Sequence, residues 1–288
     1  MQLLIFGLGY AGAAVARAAL ADGFTVTAAL RGVSRSWSPA HNYLHLPVAE
    51  AGLALAHATH LLVTAPPAPE GDPMLAMHAM DVAAAPTLRW IGYFSSTGVY
   101  GDRGGNWVSE ATPPAPGSER AERRLTAEAA WADFANRCAV DIFRLAGIYG
   151  PGRSPFDDLL AGRARRIIKP GHAFGRIHRD DIARAVLAAM RQDRPAAPRI
   201  LNLNDDEPAE SAAVIAEAAR LLGVAPPPAI PFAKAWETMS PMARSFWSEN
   251  RKVSSRATQA ALNLGWEYPS YREGLAAILR EQNLNQPL

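Results

Sequence analysis

The sequence predicts a doubly wound α/β fold, a parallel sheet with helices on both faces, joined to a smaller C-terminal lobe. Three observations predict it. Strand-length apolar runs alternate with helical periods from residue 2 to residue 145. A glycine-rich turn, Gly7-Leu8-Gly9-Tyr10-Ala11-Gly12, stands between the first strand and the first helix. After Gly150-Pro151-Gly152 the alternation stops, so the remainder forms a lobe of its own kind.

Each element follows from its pattern. Residues 2–6 are a short apolar run, read as a buried strand. The Ala-rich stretch after the glycine turn puts Val15, Ala19 and Leu20 on one side of a helix, and Gly23 supplies its stop. Residues 24–30, 43–46, 60–64, 88–95 and 140–145 read as further strands, with helical patterns at 74–84 and 118–137. Pro73 suits a first helical turn. Right-handed crossovers then make the strands parallel. Beyond Gly152, helices are expected at 179–191, 208–222, 255–263 and 270–281, with a short strand at 199–203. The Pro-rich stretch 225–231 reads as a connector. The division is a dinucleotide-binding domain, 1–150, and a mostly substrate-side lobe, 151–288, from which segments near 177–203 return to the main sheet.

Composition narrows the function. At 288 residues, 49% hydrophobic and 19% charged, the chain can bury a sizeable core and is not disordered. The net charge is +2, and 26 of the 29 basic residues are arginine. They are scattered, with no basic stripe interleaved with aromatics, so nucleic acid is not an expected partner. The single cysteine, Cys138, excludes an internal disulfide and a cysteine-cluster metal site. No metal site is expected from His57 and His60, which lack a third ligand. No apolar run approaches the ~18–20 residues of a membrane span. A cytoplasmic protein is expected.

The glycine turn has the context that a dinucleotide motif needs: strand before, helix after, second strand next. Gly7 allows the tight turn, Gly9 lets a pyrophosphate approach the backbone, and Gly12 lets the helix pack on the strand. Tyr10 and Ala11 belong to the same loop, whose helix N-terminus offers free N–H groups to phosphate. The alternative is a glycine-rich turn without a ligand. No acidic residue lies between Asp22 and Glu50 to accept from a ribose 2′-OH. The second strand runs instead into Arg31, with Arg35 close behind, and a guanidinium pairs well with a 2′-phosphate. NADP is therefore favoured over NAD. Thr64, Ala65 and Pro66 close the fourth strand as a rigid lip over the ribose or nicotinamide side, and Ser95 closes the fifth.

Several segments then agree in order: Ser95-Ser96-Thr97-Gly98-Val99-Tyr100-Gly101-Asp102, Arg144-Leu145-Ala146-Gly147-Ile148-Tyr149-Gly150-Pro151-Gly152, Ile177-His178-Arg179-Asp180-Asp181, Asn250-Arg251-Lys252-Val253-Ser254 and Leu264-Gly265-Trp266. The chain resembles the extended short-chain dehydrogenase/reductases, the NAD(P)-dependent epimerase/dehydratase family, across nearly its whole length. The Pro66–Pro73 stretch is more like an atypical branch. The resemblance implies a hydroxyl at Ser96 and a Tyr-x-x-x-Lys pair on the following helix. Counting back from Glu128, an acidic position of the family, puts that pair at Arg120 and Arg124. They share a helix face, yet arginine stays protonated and cannot relay a proton. Such a pair is either solvated, countered by Glu119, Glu122 or Glu128, or bound to an anion.

Other catalytic candidates are Tyr100 and Tyr149, the tyrosines in motifs at the carboxyl edge, for which core packing is the competing reading. His178 reads first as a structural residue at a helix start. The adjacent pairs Asp157-Asp158, Asp180-Asp181 and Asp205-Asp206 do not face each other on a helix and form no dyad. The expected function is an NADP-dependent oxidoreductase or epimerase-like protein acting on a small polar, sugar-like substrate. The alternative is a non-catalytic NADP-binding sensor or regulatory protein. The expected partner is a small-molecule substrate or effector, with a homodimer left open.

Overall fold

The computed structural model describes residues 1–38 and 42–284. The chain opens with β1 (Gln2–Phe6), α1 (Tyr10–Ala21), β2 (Thr25–Leu30), β3 (Ser36–Ser38) and β4 (Tyr43–Pro47). It continues through α2 (Ala51–Leu55), β5 (His60–Val63), α3 (Pro73–Ala84), β6 (Trp90–Ser96) and the two-residue β7 (Trp107–Val108). Then come α4 (Glu119–Ala132), β8 (Ala139–Leu145), β9 (Gly147–Tyr149), α5 (Pro155–Leu160), β10 (Arg166–Ile168) and β11 (Arg176–His178). The rest is α6 (Arg179–Arg191), β12 (Ala197–Leu203), α7 (Ser211–Leu221), β13 (Ala229–Pro231), α8 (Phe232–Glu237), α9 (Pro241–Ser248), β14 (Lys252–Val253), α10 (Arg256–Leu262) and α11 (Tyr271–Leu284).

The main sheet has eight strands in the order β12-β8-β6-β5-β1-β2-β4-β3, and only β3 runs antiparallel. The doubly wound fold expected from the sequence is present. A parallel sheet covered on both faces reads as continuous apolar strands, and His60–Val63 is buried at every position. One face packs against α1 and α6, through Val15, Ala19, Ile182 and Val186. The other packs against α2, α3 and α4, through Leu55, Met74, Val82 and Trp131. From β1 the chain winds out through β2 and β4, then returns to the opposite side of β1 as β5. The crevice between the carboxyl ends of β1 and β5 is thus the topological switch point, where open α/β sheets bind ligands. Among the described residues, no helix is long and apolar enough to cross a membrane.

Several elements differ from the sequence reading. The helix expected over 118–137 ends as α4 at Ala132 and continues as one 3-10 turn, Asp133–Asn136. The helix expected from 208 begins at Ser211, because Ala209 bridges to Phe174. The connector 225–231 ends in β13, which pairs with β10. Strands of two or three residues, such as β7 with β14 and β9 with β11, are too short to carry a readable alternation. A separate apolar cluster forms where Tyr149, Phe156, Val214, Tyr271 and Leu275 meet, while β12 joins the main sheet beside β8.

A buried charge cluster fixes that edge of the sheet. Asp141 on β8 is fully buried and accepts from Trp90 Nε1 at 2.8 Å, Arg194 at 2.8 Å and Arg199 at 2.8 Å. Removing one partner of a buried ion pair costs about 3–5 kcal/mol. Asp141→Ala is expected to lose about 3 kcal/mol of unfolding free energy in urea titration, since both arginines remain partly wetted. A loss below ~1 kcal/mol would show that water replaces the carboxylate there.

Candidate functional site

The glycine turn lies at the switch point. Gly7 has φ +89°, a conformation that only glycine adopts without strain. Its carbonyl accepts from Thr64 Oγ1 at 2.7 Å, which ties the end of β5 to the loop. A Cβ on Gly12 would come within 3.1 Å of the Gly7 carbonyl, so glycine there permits the close helix packing. Gly9 caps α1 with an ordinary extended backbone, and a Cβ on it would meet nothing within 4 Å. The space in front of Gly9 is therefore open, in the place where a pyrophosphate would stand at the helix N-terminus. These residues fit a dinucleotide.

A cleft of about 620 Å³ opens from this loop. Gly9, Tyr10, Ala11, Gly12, Thr64, Ser95, Ser96, Arg120, Arg124 and Tyr149 all line it. Gly7, Ala65, Pro66, Arg31, Arg35 and Tyr100 do not. Gly7 and Ala65 stand just behind, in contact with each other. Pro66 is exposed. Arg31 is exposed at the carboxyl end of β2, beside the β1 loop. Arg35 is held in an ion pair with Glu50 at 2.7 Å, which removes it from the free cations expected near a 2′-phosphate.

Under the cleft floor, the Ser95 hydroxyl donates to Glu128 Oε1 at 2.5 Å. Glu128 is also bound by Arg144, with Nη2 at 2.6 Å and Nε at 3.1 Å, and all three side chains are buried. Ser95 thus has its hydroxyl turned to the protein. Ser96 Oγ accepts from Gly98 N at 3.1 Å and stays at the cleft wall. Arg120 and Arg124 share one side of α4, as their spacing requires. Neither has a carboxylate within 4 Å among the described residues, because Glu128 is committed to Arg144 and Glu119 lies 3.4 Å from Arg123. Arg124 donates to the Phe94 carbonyl. Arg120 lies over the Phe246 ring at 5.9 Å.

The tyrosine candidates lead elsewhere. Tyr100 is fully buried, donates to Asn202 Oδ1 at 2.8 Å, and lies under the Arg144 guanidinium at 4.7 Å. Tyr149 lines the cleft yet is buried. Its hydroxyl turns toward α11, where a Cβ on Gly274 would strike it, and burial pushes its pKa up. Tyr10 donates to the Pro151 carbonyl at 2.9 Å, its ring flanked by Arg179 and Arg153. His178 Nδ1 accepts from Asp180 N at the start of α6. The Asp pairs are structural in part: Asp157 closes a capping box with Ser154, and Asp181 accepts from Glu267 N and Tyr268 N.

Sequence reasoning missed Arg153, Arg176, Phe246, Glu249 and Arg251, which complete the cleft. Arg251 donates from Nη1 to the Gly101 carbonyl at 2.9 Å and to Glu249 at 2.5 Å. Arg176 donates to the Phe174 and Ala209 carbonyls. Behind Arg176, both carboxyl oxygens of buried Asp205 lack a hydrogen-bond partner among the described residues. Burial pushes this carboxyl up to about 8, against the opposing pull of Arg176.

No family model matches the chain. Protein YeeZ of Escherichia coli K12 is 32% identical over 181 residues, which cover 60% of this chain and 63% of that protein, less than two thirds of its length. A Streptomyces 3-diazoavenalumate denitrifying reductase is 29% identical over 145 residues, 46% of this chain and 45% of its own. The structure of a functionally unknown conserved protein from Silicibacter pomeroyi matches 98% of this chain and 99% of its own, at 41% identity and a TM-score of 0.86. The chain belongs to the same family as that protein. A Methylobacillus flagellatus protein, assigned provisionally as an NAD-dependent epimerase/dehydratase, matches 98% of both chains at 25% identity and a TM-score of 0.74. The human epimerase family protein SDR39U1, solved with NADPH, shares the fold at 18% identity, with a TM-score of 0.75 over 97% of this chain and 99% of its own. The fold is that of the extended and atypical short-chain dehydrogenase/reductases.

Two tests follow from this geometry. A Cβ on Gly9 would meet nothing within 4 Å. Gly9→Val should therefore keep the fold, at a cost of about 1 kcal/mol because Gly9 is the N-cap of α1, yet lose dinucleotide binding in calorimetric titration. Gly7→Ala should instead lower the melting temperature, because its φ is strained for any side chain. Unchanged affinity in Gly9→Val would show that the loop does not carry the pyrophosphate.

The Asp205 carboxyl gives a pH signature. Its folded pKa is above the unfolded value near ~3.9. Between about pH 4 and pH 8 the unfolded chain releases a proton that the folded one keeps, so stability falls as pH rises. Asp205→Asn should be nearly neutral near the lower limit and increasingly stabilising toward the upper one. Denaturant midpoints for both proteins at the two ends would measure this; a pH-independent difference would mean the carboxyl ionises normally in the fold.

Proposed function

We propose that the protein is an NADP(H)-binding oxidoreductase or epimerase-like enzyme acting on a small polar, sugar-like substrate, with the dinucleotide seated at the glycine loop. The observation that carries this reading is the open space at Gly9, at the switch point of the sheet and continuous with the cleft. The likeness to the Methylobacillus flagellatus protein, to the human protein solved with NADPH and to the Streptomyces reductase supports it. A bound nicotinamide ring would supply or accept hydride. Gly7, Gly9, Tyr10, Ala11 and Gly12 would hold the pyrophosphate. Thr64 would fix the loop through the Gly7 carbonyl, with Ala65 and Pro66 as the adjoining lip. Ser95 acts as a positioning residue, since its hydroxyl is spent on Glu128. Arg31, exposed and beside the loop, is the residue for a 2′-phosphate. Arg35 would have to leave Glu50 to join it, which is cheap for an exposed pair.

A second reading, a dinucleotide-binding sensor without turnover, rests on one observation. The hydroxyls of Tyr10, Tyr100 and Tyr149 are each engaged by the protein, so none presents a proton donor to the cleft. A single-turnover measurement of nicotinamide absorbance against a panel of carbonyl compounds separates the two. Consumption of NADPH supports the enzyme, and tight binding without consumption supports the sensor.

Arg31→Ala tests the choice of cofactor. A charge-assisted hydrogen bond contributes about 1.5–3 kcal/mol. NADPH should therefore bind roughly ten- to a hundredfold more weakly, while the affinity for NADH should change little. Equal weakening of both would remove Arg31 from the 2′-phosphate.

A further inference from the structure

We infer that Ser96, Arg120 and Arg251 form a subsite for an anionic group of the substrate, a carboxylate or a phosphate, separate from the place of the cofactor's phosphates. The inference deepens the proposed function and rests on its reading of the cleft as a cofactor-plus-substrate site. The cleft carries an excess of positive charge. The cleft is lined by five guanidiniums and by one carboxylate, Glu249, which is spent on Arg251. Arg120, Arg124, Arg153 and Arg176 have no carboxylate within 4 Å among the described residues. A dinucleotide pyrophosphate would bring about two negative charges, one per phosphate. That leaves positive charge uncompensated along the cleft wall, which favours a second anion.

Geometry locates it. Arg153 lies against Tyr10, next to the glycine loop, and belongs to the cofactor's side. Ser96 ends β6, and β6 lies two strands from β1 in the sheet, or about 10 Å away at the usual strand spacing. Arg251 uses Nη1 on Gly101 and Glu249. Its Nη2 has no acceptor among the described residues and points to the Gly98 turn, 3.9 Å from where a Cβ on Gly98 would stand. The same point is 3.3 Å from Ser96 Oγ, so the free edge of Arg251 and the Ser96 hydroxyl both border the Gly98 turn on the cleft wall. Glu249 clamps this guanidinium on its other nitrogen and fixes the direction of the free one. Arg120 faces the same recess from α4, with its only described contact on the Phe246 ring. Two guanidiniums and a hydroxyl with an unassigned proton make a donor set for oxyanions: planar forks for a carboxylate or phosphate, and a short O–H donor beside them. Arg124 is less suited, because it is turned to the Phe94 carbonyl.

The test measures anion binding by calorimetry at constant ionic strength, on protein with and without saturating NADPH. The probes are inorganic phosphate and malonate, with chloride as the control. At least one of them should bind both forms, and Arg120→Ala should weaken that binding about tenfold while the NADPH affinity moves less than twofold. Ser96→Ala should weaken it by a smaller factor. Because Arg251 also ties the Gly101 turn, Arg251→Lys is paired with Arg251→Ala: the lysine variant keeps charge but loses the fork. Binding of malonate alone identifies a carboxylate-bearing substrate, and binding of phosphate alone a phosphate-bearing one. Loss of the probe's binding when NADPH is added would overturn the inference, because the anion would then occupy the pyrophosphate's place. Unchanged binding in Arg120→Ala would overturn it as well. If NADPH itself does not bind, the proposed function fails, and the anion titration on the free protein still decides the subsite by its own outcome.

Discussion

Glu128 is a carboxylate taken out of water, and what surrounds it sets the geometry of the cleft. Its position on α4 is opposite Ser95 of β6 and Arg144 of β8, and it receives three hydrogen bonds from two guanidinium nitrogens and one from the hydroxyl. A buried charge without such partners would cost several kcal/mol. The helix can therefore sit in only one rotation and one height over the sheet. Arg144 extends the constraint, since its other face covers Tyr100. Tyr100 bonds Asn202 on β12, and Asn202 donates to the Ser254 carbonyl just after β14. One run of polar contacts thus connects the helix that carries Arg120 to the segment that carries Arg251. The network contributes less to net stability than to uniqueness, because an apolar replacement of equal shape could be as stable.

That arrangement explains why the cleft is cationic. A helix places residues i and i+4 on one face, and Arg124 and Glu128 stand at that spacing. In an isolated helix they would pair. Here Arg144 outcompetes Arg124, because its fork meets the carboxylate with two nitrogens in a dry site, whereas an exposed helical pair is worth only a few tenths of a kcal/mol. Arg124 turns to a backbone carbonyl instead. The sequence gives several carboxylates to α4, yet none is within 4 Å of the two arginines that face the cleft.

What could be read in the sequence was local. Gly7 and Gly12 follow from backbone sterics over a few residues, and the alternation of strands and helices supplies the sheet. The Asp72-Pro73 start of α3 is legible for the same reason: Asp72 caps the helix through Met74 N and Leu75 N, and Pro73 needs no donor there. The rest depended on contacts between distant residues. Tyr100 and Tyr149 sit in motifs at the correct edge, but the direction of each hydroxyl is decided by Asn202 and by α11, roughly a hundred residues or more away. Arg35 looked free until β4 and the following turn brought Glu50 to it. Arg251 and Phe246 belong to a part of the chain whose strands are two or three residues long, so no periodicity announces that it folds back over β6.

The exchange of a tyrosine–lysine pair for two arginines, which the family resemblance implies at 120 and 124, changes what the wall can do. A tyrosine gives up a proton and recovers it; a guanidinium holds its charge across the whole accessible pH range. A ligand in this cleft would meet fixed positive charge whose strength does not vary with pH, beside the half-buried hydroxyl of Ser96 at the end of β6. Any negative charge that develops on a bound molecule would be stabilised by these cations without proton transfer. A proton needed to complete a reaction would then come from water or from the ligand itself, since the hydroxyls of Tyr10, Tyr100 and Tyr149 are committed to Pro151, Asn202 and Ser270. Such a wall favours substrates that already carry an anion and tolerate a slow, solvent-derived proton, or ligands that are held without reaction. Both outcomes draw on the same residues, and the chemistry of the bound molecule, rather than the wall, decides between them.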